Sequence, residues 1–501
     1  MTTLSALDFV IVVAYILGTT LMGARFSGRQ RDVNTYFVSD RNVSWWLVLV
    51  SIVATETSTV TFLSVPGLAF NPEGGNLTFL QLAFGYIIGR ILIAWLLLPS
   101  YLHGDFLSAY QLLRERFSPA VQRTASAIFL LTRVVADGLR LYLTALLLGQ
   151  FTGWSPAASV LGTAAVTMIY TYLGGMQAVI WTDLIQFLIY IIGAIVASFF
   201  ILHEIPGGAA EFVSVGQAAG KFHLLEFSTD LTQEFTFWAG LIGGAFFTMA
   251  SHGADQIMVQ RYLCSRSLRQ ARVALVSSGF VVLVQFLLFL LIGVGLHILW
   301  QQKVLVLPET IRGQNDVVFG YFIVHYLPTG IIGLLIAAVL ASSMSTLSSS
   351  LNSASSAFVG DFYRPLRPGL SEAHYLNVAR GMTMFWGLTR LGVALLAIPL
   401  LADRSVIRSV LSIAGFTTGM ILGLFLLGRM PRPVGSGPAL AGLVAGFLTV
   451  FTLWAFTWLA WPWYPLVGTL VTIAVALLLD RLGFAHGSPR NRSAQPGFDQ
   501  P

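Results

Sequence analysis

Apolar segments about twenty residues long recur along almost the whole chain, and they constrain its fold more than any other feature. A helix of roughly 20 apolar residues crosses the bilayer core and satisfies its own backbone hydrogen bonds there. The pattern therefore predicts an all-α polytopic membrane protein with about thirteen transmembrane helices. The predicted spans lie near 6–25, 43–71, 76–99, 120–150, 155–173, 175–203, 234–260, 271–300, 329–358, 376–402, 405–428, 436–460 and 462–480.

The composition excludes several other classes of protein. Charged residues make up 10% of the 501 residues, whereas soluble domains carry roughly 25%. The net charge of +6 is typical of basic cytoplasmic loops, so it predicts a lipid bilayer and no nucleic acid as partner. The single cysteine, Cys264, excludes an internal disulfide framework.

Arginines are concentrated in alternate loops, which predicts the orientation of the chain. The intervening loops 66–76 and 149–155 contain no lysine or arginine. We therefore expect the N-terminus outside and the C-terminus in the cytoplasm, in a bacterial inner membrane. Arg404 and Arg408 do not fit the alternation. The arginines that follow spans one, three, seven, nine, eleven and thirteen are Arg25, Arg29, Arg31, Arg41, Arg114, Arg116, Arg123, Arg261, Arg266, Arg269, Arg272, Arg364, Arg367, Arg380, Arg429, Arg432, Arg481, Arg490 and Arg492.

One predicted span is rich in serine and threonine. Ser342, Ser345, Thr346 and Ser349 follow each other at helical spacing, so their hydroxyl groups share one face. A transmembrane helix needs no hydroxyl groups for its own backbone, and oxygen atoms are the ligands of hard cations. The face therefore indicates a sodium site. Close packing of helices through small residues is the alternative.

Two spans are interrupted at mid-membrane depth. Ala54–Thr59 places Glu56 and four hydroxyl groups there, and Met249–Gln256 includes His252 and Asp255. The second and seventh spans enter the membrane from opposite sides, as inverted repeats require, and paired broken helices mark transporter binding sites. A kink that binds nothing is the alternative.

These interruptions predict the organisation of the whole chain. Two inverted halves of five helices each account for most of it, with one additional helix before them and two after. The predicted segments are 1–42 for the additional first helix and its loop, 43–203 and 234–428 for the two halves, 436–480 for the last two helices and 481–501 for a cytoplasmic tail.

Charged residues inside the predicted spans are candidates for function. Each costs about 2.5–3.5 kcal/mol at a helix centre, so pairing or a water-filled cavity is expected. The spacing of Arg133, Asp137 and Arg140 allows one acid to bridge both arginines. Arg140 opposite Glu56 would suit a zwitterion or a polar carboxylate. The candidates are Glu56, Arg90, Arg133, Asp137, Arg140, Asp183, Asp255 and Arg390.

Four motifs resemble the solute:sodium symporter family, which includes bacterial sialic acid, proline and galactose symporters. They are ATETSTVTFLSVPG at 54–67, YLGGMQAVIWTDLIQ at 172–186, DQIMVQRYL at 255–263 and SMSTLSSSLNS at 343–353. The resemblance implies a LeuT-type fold of two inverted five-helix repeats with discontinuous first and sixth core helices. It also implies alternating access driven by inward sodium flow.

The resemblance also implies two sets of sodium ligands. A first ion would be bound by the carbonyls of Ala54, Thr57 and Ser342 and the hydroxyls of Ser345 and Thr346. A second ion, found in some members, would be bound by Asp183, Ser345, Ser348 and Ser349. All of these residues are present, so one or two sodium ions are expected.

The resemblance implies substrate contacts from the first, second, third and sixth core helices. His252 among them could equally be an interior histidine with structural partners. Sialic acid symporters carry a hydroxyl residue at the position of Glu56, and their substrate arginine aligns nearer Arg133 than Arg140. No particular solute is therefore transferred. The residues are Glu56, Ser58, Thr61, Gln81, Arg140 and His252.

These features together predict a sodium-coupled symporter that imports a small polar organic solute. A proton-coupled transporter of the same fold is the nearest alternative, because Glu56 and Asp183 could carry protons. A membrane sensor that has lost turnover is another. A membrane enzyme is not expected, since no zinc-protease motif or nucleophile–base arrangement is present.

Overall fold

Helices follow the predicted apolar segments along the chain in a computed structural model, which describes residues 4–26, 30–311, 313–400 and 419–484. The described part of the chain is helical except for loops and one isolated bridge between Val43 and Ser265. Helices of six or more residues are Ala6–Arg25, Val33–Val38, Trp45–Glu56, Thr59–Phe70, Gln81–Leu96, Gln111–Arg116, Pro119–Thr152, Pro156–Glu204, Gly208–Ala218, Gly244–Gly253, Gln256–Leu263, Leu268–Gln301, Val318–Tyr326, Ile331–Phe358, Glu372–Leu400, Gly419–Arg429, Ser436–Phe456 and Tyr464–Arg481.

The number of membrane spans follows from helix length and hydropathy. Within the described ranges, eight helices are long and apolar enough to cross a bilayer, and a bent pair raises the number to nine. The count of thirteen stays a prediction. The predicted span 405–428 is described only from residue 419, and Arg404, Arg408 and the predicted tail beyond 484 lie outside the described residues.

The longest helix, Pro156–Glu204, is kinked at a glycine. Gly175 has φ 57° and ψ −152°, a conformation that residues with a Cβ rarely adopt. A Cβ at this position would lie 2.6 Å from the carbonyl oxygen of Tyr36. This kinked helix therefore contains two predicted spans, 155–173 and 175–203, without a loop between them.

The serine-rich helix, Ile331–Phe358, occupies the centre of the bundle. Every residue from Leu335 to Ala357 is buried. It packs against the kinked helix, the first helix and Pro119–Thr152, and its small side chains permit close approach. Packing alone does not require so many hydroxyl groups, because alanine would pack as closely.

Both predicted interruptions are confirmed. Trp45–Glu56 and Thr59–Phe70 meet at a bend of 66° and form the broken helix. Gly244–Gly253 and Gln256–Leu263 are separated at Ala254 and Asp255 and form the second broken helix. The side chain of Asp255 accepts the N–H of Ile257 at 2.9 Å and begins its second half.

Candidate functional site

The bend of the broken helix exposes backbone oxygen atoms inside the bundle. The first half ends at Glu56, and Thr57 adopts an extended conformation with φ −83° and ψ 95°. Ser58 caps the second half by accepting the N–H of Thr61. The last carbonyls of a helix have no partner within it. The bend therefore presents carbonyl oxygens that a hydroxyl group or a cation can bind.

The serine-rich helix contacts the broken helix on both sides of this bend. Thr346 Oγ1 donates to the carbonyl of Thr55 at 3.2 Å. Beyond the bend, Thr59 Oγ1 donates to the carbonyl of Val339 at 3.2 Å. The two helices therefore meet through hydroxyl and carbonyl oxygens, which are the ligands that a hard cation takes.

The residues predicted to bind the first sodium ion lie around this contact. The carbonyl of Ser342 is 3.3 Å from Thr346 Oγ1. Ser345, one position before Thr346, donates from its Oγ to Asp183 Oδ1 at 2.6 Å. Thr57 Oγ1 accepts from Gln285 Nε2 at 2.7 Å, which fixes the residue at the bend. Their role as sodium ligands stays a prediction.

A buried carboxylate connects these helices. Asp183, on the kinked helix, is fully buried. Besides Ser345, it accepts a hydrogen bond from Ser51 through Oδ2. Arg261 Nη2 lies 3.2 Å from the same oxygen. The carboxylate therefore joins the kinked helix, the serine-rich helix and both broken helices.

The burial of Arg261 does not follow from the sequence pattern. Its position after the seventh predicted span indicates a loop arginine, and this prediction is wrong, because Arg261 is 0% exposed. Its Nη1 donates to the carbonyl of Ile257 at 2.6 Å, and its Nε donates to Ser51 Oγ at 2.9 Å. One sequence signal points to this burial. An acid inside the membrane, such as Asp183, needs a positive partner, and Arg261 lies only six residues after Asp255 at the predicted break.

Two further predicted ligands of a second sodium ion also have protein partners. Ser348 Oγ donates to the carbonyl of Ser345 at 3.1 Å. Ser349 Oγ lies 3.0 Å from Thr55 Oγ1 and accepts a hydrogen bond from Arg261 Nη2. These hydroxyl groups therefore belong to the same polar cluster as Asp183.

A small cavity adjoins the contact between the broken helix and the serine-rich helix. Its free volume is about 20 Å³, room for about one water molecule. An organic solute is larger, so the cavity must widen before it can admit one. The lining residues are Ser58, Thr59, Val60, Asp137, Arg140, Leu141, Thr144, Ser343, Thr346 and Leu347.

Arginines and acids form an ion-pair network that reaches the wall of this cavity through Asp137 and Arg140. Asp137 lies 3.2 Å from Arg140 and 3.9 Å from Arg133, which confirms that one acid bridges both. Asp137 also lies 3.4 Å from Arg390 Nε. Arg133 in turn pairs with Asp255 at the second break. The network therefore links Pro119–Thr152 with the second broken helix and with Glu372–Leu400.

Glu56 belongs to a separate buried cluster. Arg90, which is 0% exposed, donates to Glu56 and to Ser278 Oγ. His252 Nε2 lies 3.2 Å from Arg90 Nη2 and 3.4 Å from Glu56 Oε2. The acid predicted to face Arg140 is thus paired with another arginine. Substrate roles for Glu56 and His252 stay predictions.

Gln81 and Thr61 have structural partners. Gln81 Nε2 donates to the carbonyl of Phe235 at 3.1 Å, and its Oε1 accepts the N–H of Glu226 at 3.0 Å. Thr61 Oγ1 lies 3.4 Å from Ser58 Oγ at the start of the second half of the broken helix. Of the six predicted substrate residues, the structure places Ser58 and Arg140 at the cavity.

A helical bundle with two broken helices and an oxygen-rich contact at one break defines an ion-coupled secondary transporter. Comparison with known proteins agrees. The model of the sodium:solute symporter family matches residues 36–446. The chain belongs to the sodium:solute symporter family.

Sodium/sialic acid symporters are among its similar relatives. NanT of Aliivibrio fischeri is 30% identical over 474 residues, covering 94% of this chain and 92% of the relative. SiaT of Proteus mirabilis is 29% identical over 476 residues, covering 93% of each. These relatives are transporters, which confirms that the chain is a sodium-coupled symporter of a small solute and not an enzyme. Sodium is its coupling ion.

A solved structure of a Na⁺-coupled sialic acid symporter, bound to substrate and open to the outside, has the same fold. The TM-score is 0.86 at 28% identity, over 95% of this chain and 98% of that chain. This similarity confirms the predicted LeuT-type fold.

Proposed function

We propose that the chain imports a small organic anion, held by Arg140, together with sodium bound at the bend of the broken helix. The observation that carries the proposal is an unbalanced positive charge at the cavity. Arg140 lines that cavity together with Thr346, a predicted sodium ligand.

The positive charge at the cavity arises because the ion-pair network contains more arginines than acids. Arg133 pairs with Asp255, and Arg390 pairs with Asp137. Arg140 is the third arginine and shares Asp137. Three guanidinium groups against two carboxylates leave one positive charge. Among the three side chains, Arg140 is the most exposed, at 23% against 16% and 0%.

The two acids nearest the bend of the broken helix supply no compensating charge. Glu56 pairs with Arg90, and Asp183 pairs with Arg261. A charge inside the membrane is costly unless a partner approaches it. A bound anion would be that partner, and a carboxylate fits a guanidinium through two parallel hydrogen bonds.

The rest of the cavity favours a polar solute. The hydroxyl groups of Ser58, Thr144 and Ser343 lie on its walls, with Val60 and Leu141. A few placed polar groups among apolar ones are typical of a small-molecule site. The relatives named above transport sialic acid, which is a carboxylated sugar, and this supports a sugar acid or a similar hydroxylated carboxylate as the solute.

Sodium would be bound where the broken helix meets the serine-rich helix. The carbonyls of Ala54, Thr57 and Ser342 and the hydroxyls of Ser345 and Thr346 provide the oxygen atoms. Thr346 also lines the solute cavity, so the two sites share a residue. An ion shifts a conformational equilibrium only if it binds one conformation more tightly than the other. A site built from two helices loses ligands when the helices move apart, so its affinity for sodium differs between the two conformations.

The chain would lie in a bacterial inner membrane with its N-terminus outside and its C-terminus in the cytoplasm. The alternation of arginines supports this orientation. The inverted halves would be 43–203 and 234–428, each with a broken helix. Relative motion of these halves would open the cavity to one side at a time.

A thermal-shift screen of the purified full-length chain tests the proposal. We expect stabilisation by sialic acid or other hydroxylated carboxylates in sodium, and much less in choline at equal ionic strength. The matched controls are the amides or neutral sugars of the same size. Equal stabilisation by neutral and anionic compounds would contradict an anion site.

A further inference from the structure

The hydroxyl group of Ser343 lies on the wall of the solute cavity, as does Arg140. Ser343 is 8% exposed, and its Oγ forms no hydrogen bond with any described residue. Other serines of the same helix behave differently, because Ser348 and Ser353 donate to carbonyls of the preceding turn at 3.1 Å and 3.2 Å. A buried hydroxyl group is costly unless it is hydrogen-bonded. The hydroxyl group of Ser343 is therefore available to a solute.

The other hydroxyl groups of the cavity are engaged within the protein. Thr144 Oγ1 donates to the carbonyl of Arg140 at 2.9 Å, and Thr346 Oγ1 donates to the carbonyl of Thr55 at 3.2 Å. The hydroxyl groups that the broken helix presents to the cavity are bound on either side of the bend. Ser343 thus differs from its neighbours on the cavity wall in having an uncommitted donor.

The helices that carry Ser343 and Arg140 run in opposite directions. At one end of their contact, Ser350 Oγ donates to Asp137. At the other end, Thr59 Oγ1 lies 3.2 Å from Thr144 Oγ1 and 3.2 Å from the carbonyl of Val339. Positions further along Pro119–Thr152 therefore lie opposite earlier positions of the serine-rich helix.

This arrangement separates the two solute-facing groups. Counted from the contact between Asp137 and Ser350, Arg140 lies three residues further along its helix and Ser343 lies seven residues earlier on the other. At about 1.5 Å per residue, the two positions are roughly 6 Å apart along the helix axes. Arg140 Nη1 also reaches back to Asp137 at 3.2 Å, which increases the distance of the guanidinium group from Ser343.

We propose that Ser343 is a specificity-determining residue that binds a hydroxyl group several bonds away from the carboxylate of the solute. This inference rests on the proposed function, because it places the carboxylate at Arg140. A hydroxyl group on the carbon next to the carboxylate is too close to it to reach Ser343 from there. The solute is then a carboxylate with a distant hydroxyl group, so a 4-hydroxy acid binds in preference to a 2-hydroxy acid.

Isothermal titration of the purified full-length chain in saturating sodium tests the inference with three acids of equal chain length. They are butyrate, 2-hydroxybutyrate and 4-hydroxybutyrate. Ser343→Ala removes the proposed donor. Ser353→Ala is the matched control, because Ser353 lies on the same helix and donates to the carbonyl of Ser350. Arg140→Gln tests the anion site separately.

We expect 4-hydroxybutyrate to bind the native chain about 2- to 10-fold more tightly than butyrate or 2-hydroxybutyrate, the effect of one hydrogen bond between neutral groups. Ser343→Ala should remove this preference and Ser353→Ala should keep it. A native chain that lacks the preference, or that does not bind 4-hydroxybutyrate, would overturn the inference, and so would a preference that persists in Ser343→Ala.

The same titrations separate this inference from the proposed function. Equal affinity of the native chain and Arg140→Gln for all three acids would contradict the anion site, whereas the preference for 4-hydroxybutyrate reports on Ser343. If Ser343→Ala does not fold, the comparison of the three acids on the native chain decides.

Discussion

The carboxylate of Asp8 accepts the backbone N–H of Gly333 at 2.7 Å, where the serine-rich helix begins. It accepts the N–H of Gly330 at the same distance, and Asp8 is 1% exposed. The first N–H groups of a helix lack partners and carry partial positive charge, so a buried carboxylate satisfies both needs. The first helix of the chain thereby fixes the end of the helix that carries the predicted sodium ligands.

Replacing Asp8 should destabilise the protein. We expect Asp8→Ala to lower the free energy of unfolding by about 1–3 kcal/mol, because buried N–H groups lose a charged acceptor. Asp8→Asn keeps an acceptor oxygen and should cost less. Thermal unfolding in detergent provides the measurement, and Asp105→Ala, at an exposed acid, is the control. An unchanged midpoint for Asp8→Ala would show that the helix start does not depend on this contact.

Replacing Ser345 and Thr346 by alanine should abolish sodium-dependent stabilisation and sodium-stimulated uptake. Both hydroxyl groups are predicted ligands, and Thr346 contacts the carbonyl of Thr55 at the bend. The fold should persist, because alanine packs as closely as serine in a buried helix. Ser353→Ala is the matched control, since Ser353 is buried on the same helix and donates to the carbonyl of Ser350. Full sodium dependence in the double variant would refute this site.

Replacing Arg140 should weaken binding of an anionic solute. A hydrogen bond to a charged group contributes about 1.5–3 kcal/mol, so we expect Arg140→Gln to raise the dissociation constant by about 10- to 150-fold, and Arg140→Lys by less. Isothermal titration in saturating sodium measures this. Arg114→Gln removes an exposed arginine and should leave affinity unchanged. Unaltered affinity in Arg140→Gln would place the anion elsewhere.

Glu56 and Arg90 should behave as a buried pair. Glu56→Gln leaves the guanidinium of Arg90 without its carboxylate, and removal of one partner of a buried pair costs about 3–5 kcal/mol. Adding Arg90→Met should restore part of the loss, because no uncompensated charge remains. Glu372→Gln, at the exposed pair with Arg364, should cost under about 1 kcal/mol. A stable Glu56→Gln variant with weakened solute binding would instead support the predicted substrate role.

The sequence predicts the bend and the hydroxyl face because both depend on local patterns. A carboxylate and four hydroxyl groups interrupt an apolar run at Ala54–Thr59, and the serines repeat at helical spacing. Such patterns require no knowledge of how the helices are arranged. The break at Asp255 was predictable for the same reason.

The partners of the buried charges could not be predicted in this way. The sequence predicts Glu56 opposite Arg140, but Glu56 pairs with Arg90 on another helix. Which arginine faces an acid depends on the rotation of each helix about its axis, and packing against neighbours sets that rotation. Arg261 precedes a basic stretch containing Arg266 and Arg269, so it resembles a loop residue. Its burial follows from the second break, which turns Gln256–Leu263 into the bundle.

Transport of one sodium ion with one monovalent anion would be insensitive to membrane potential, so the effect of the potential reports the number of sodium ions. Such a cycle moves no net charge, whereas two sodium ions with one anion would move one positive charge inward. A potential of 100 mV acts on that charge with about 2.3 kcal/mol, which corresponds to a roughly 50-fold change in accumulation. All four residues predicted to bind a second ion are present, so we expect two sodium ions per anion and a cycle that depends on the potential.

Proteoliposomes with a fixed tenfold sodium gradient measure this directly. A potassium gradient with valinomycin sets the potential, and the steady-state accumulation of the solute is compared at zero and 100 mV, inside negative. We expect accumulation of about 100-fold at zero potential, since a tenfold gradient of two ions supplies about 2.8 kcal/mol, and roughly 50-fold more at 100 mV. In Ser349→Ala, loss of a predicted ligand of the second ion should weaken the voltage dependence, and Ser353→Ala on the same helix is the matched control. Equal accumulation at both potentials would mean that a single sodium ion enters with each anion.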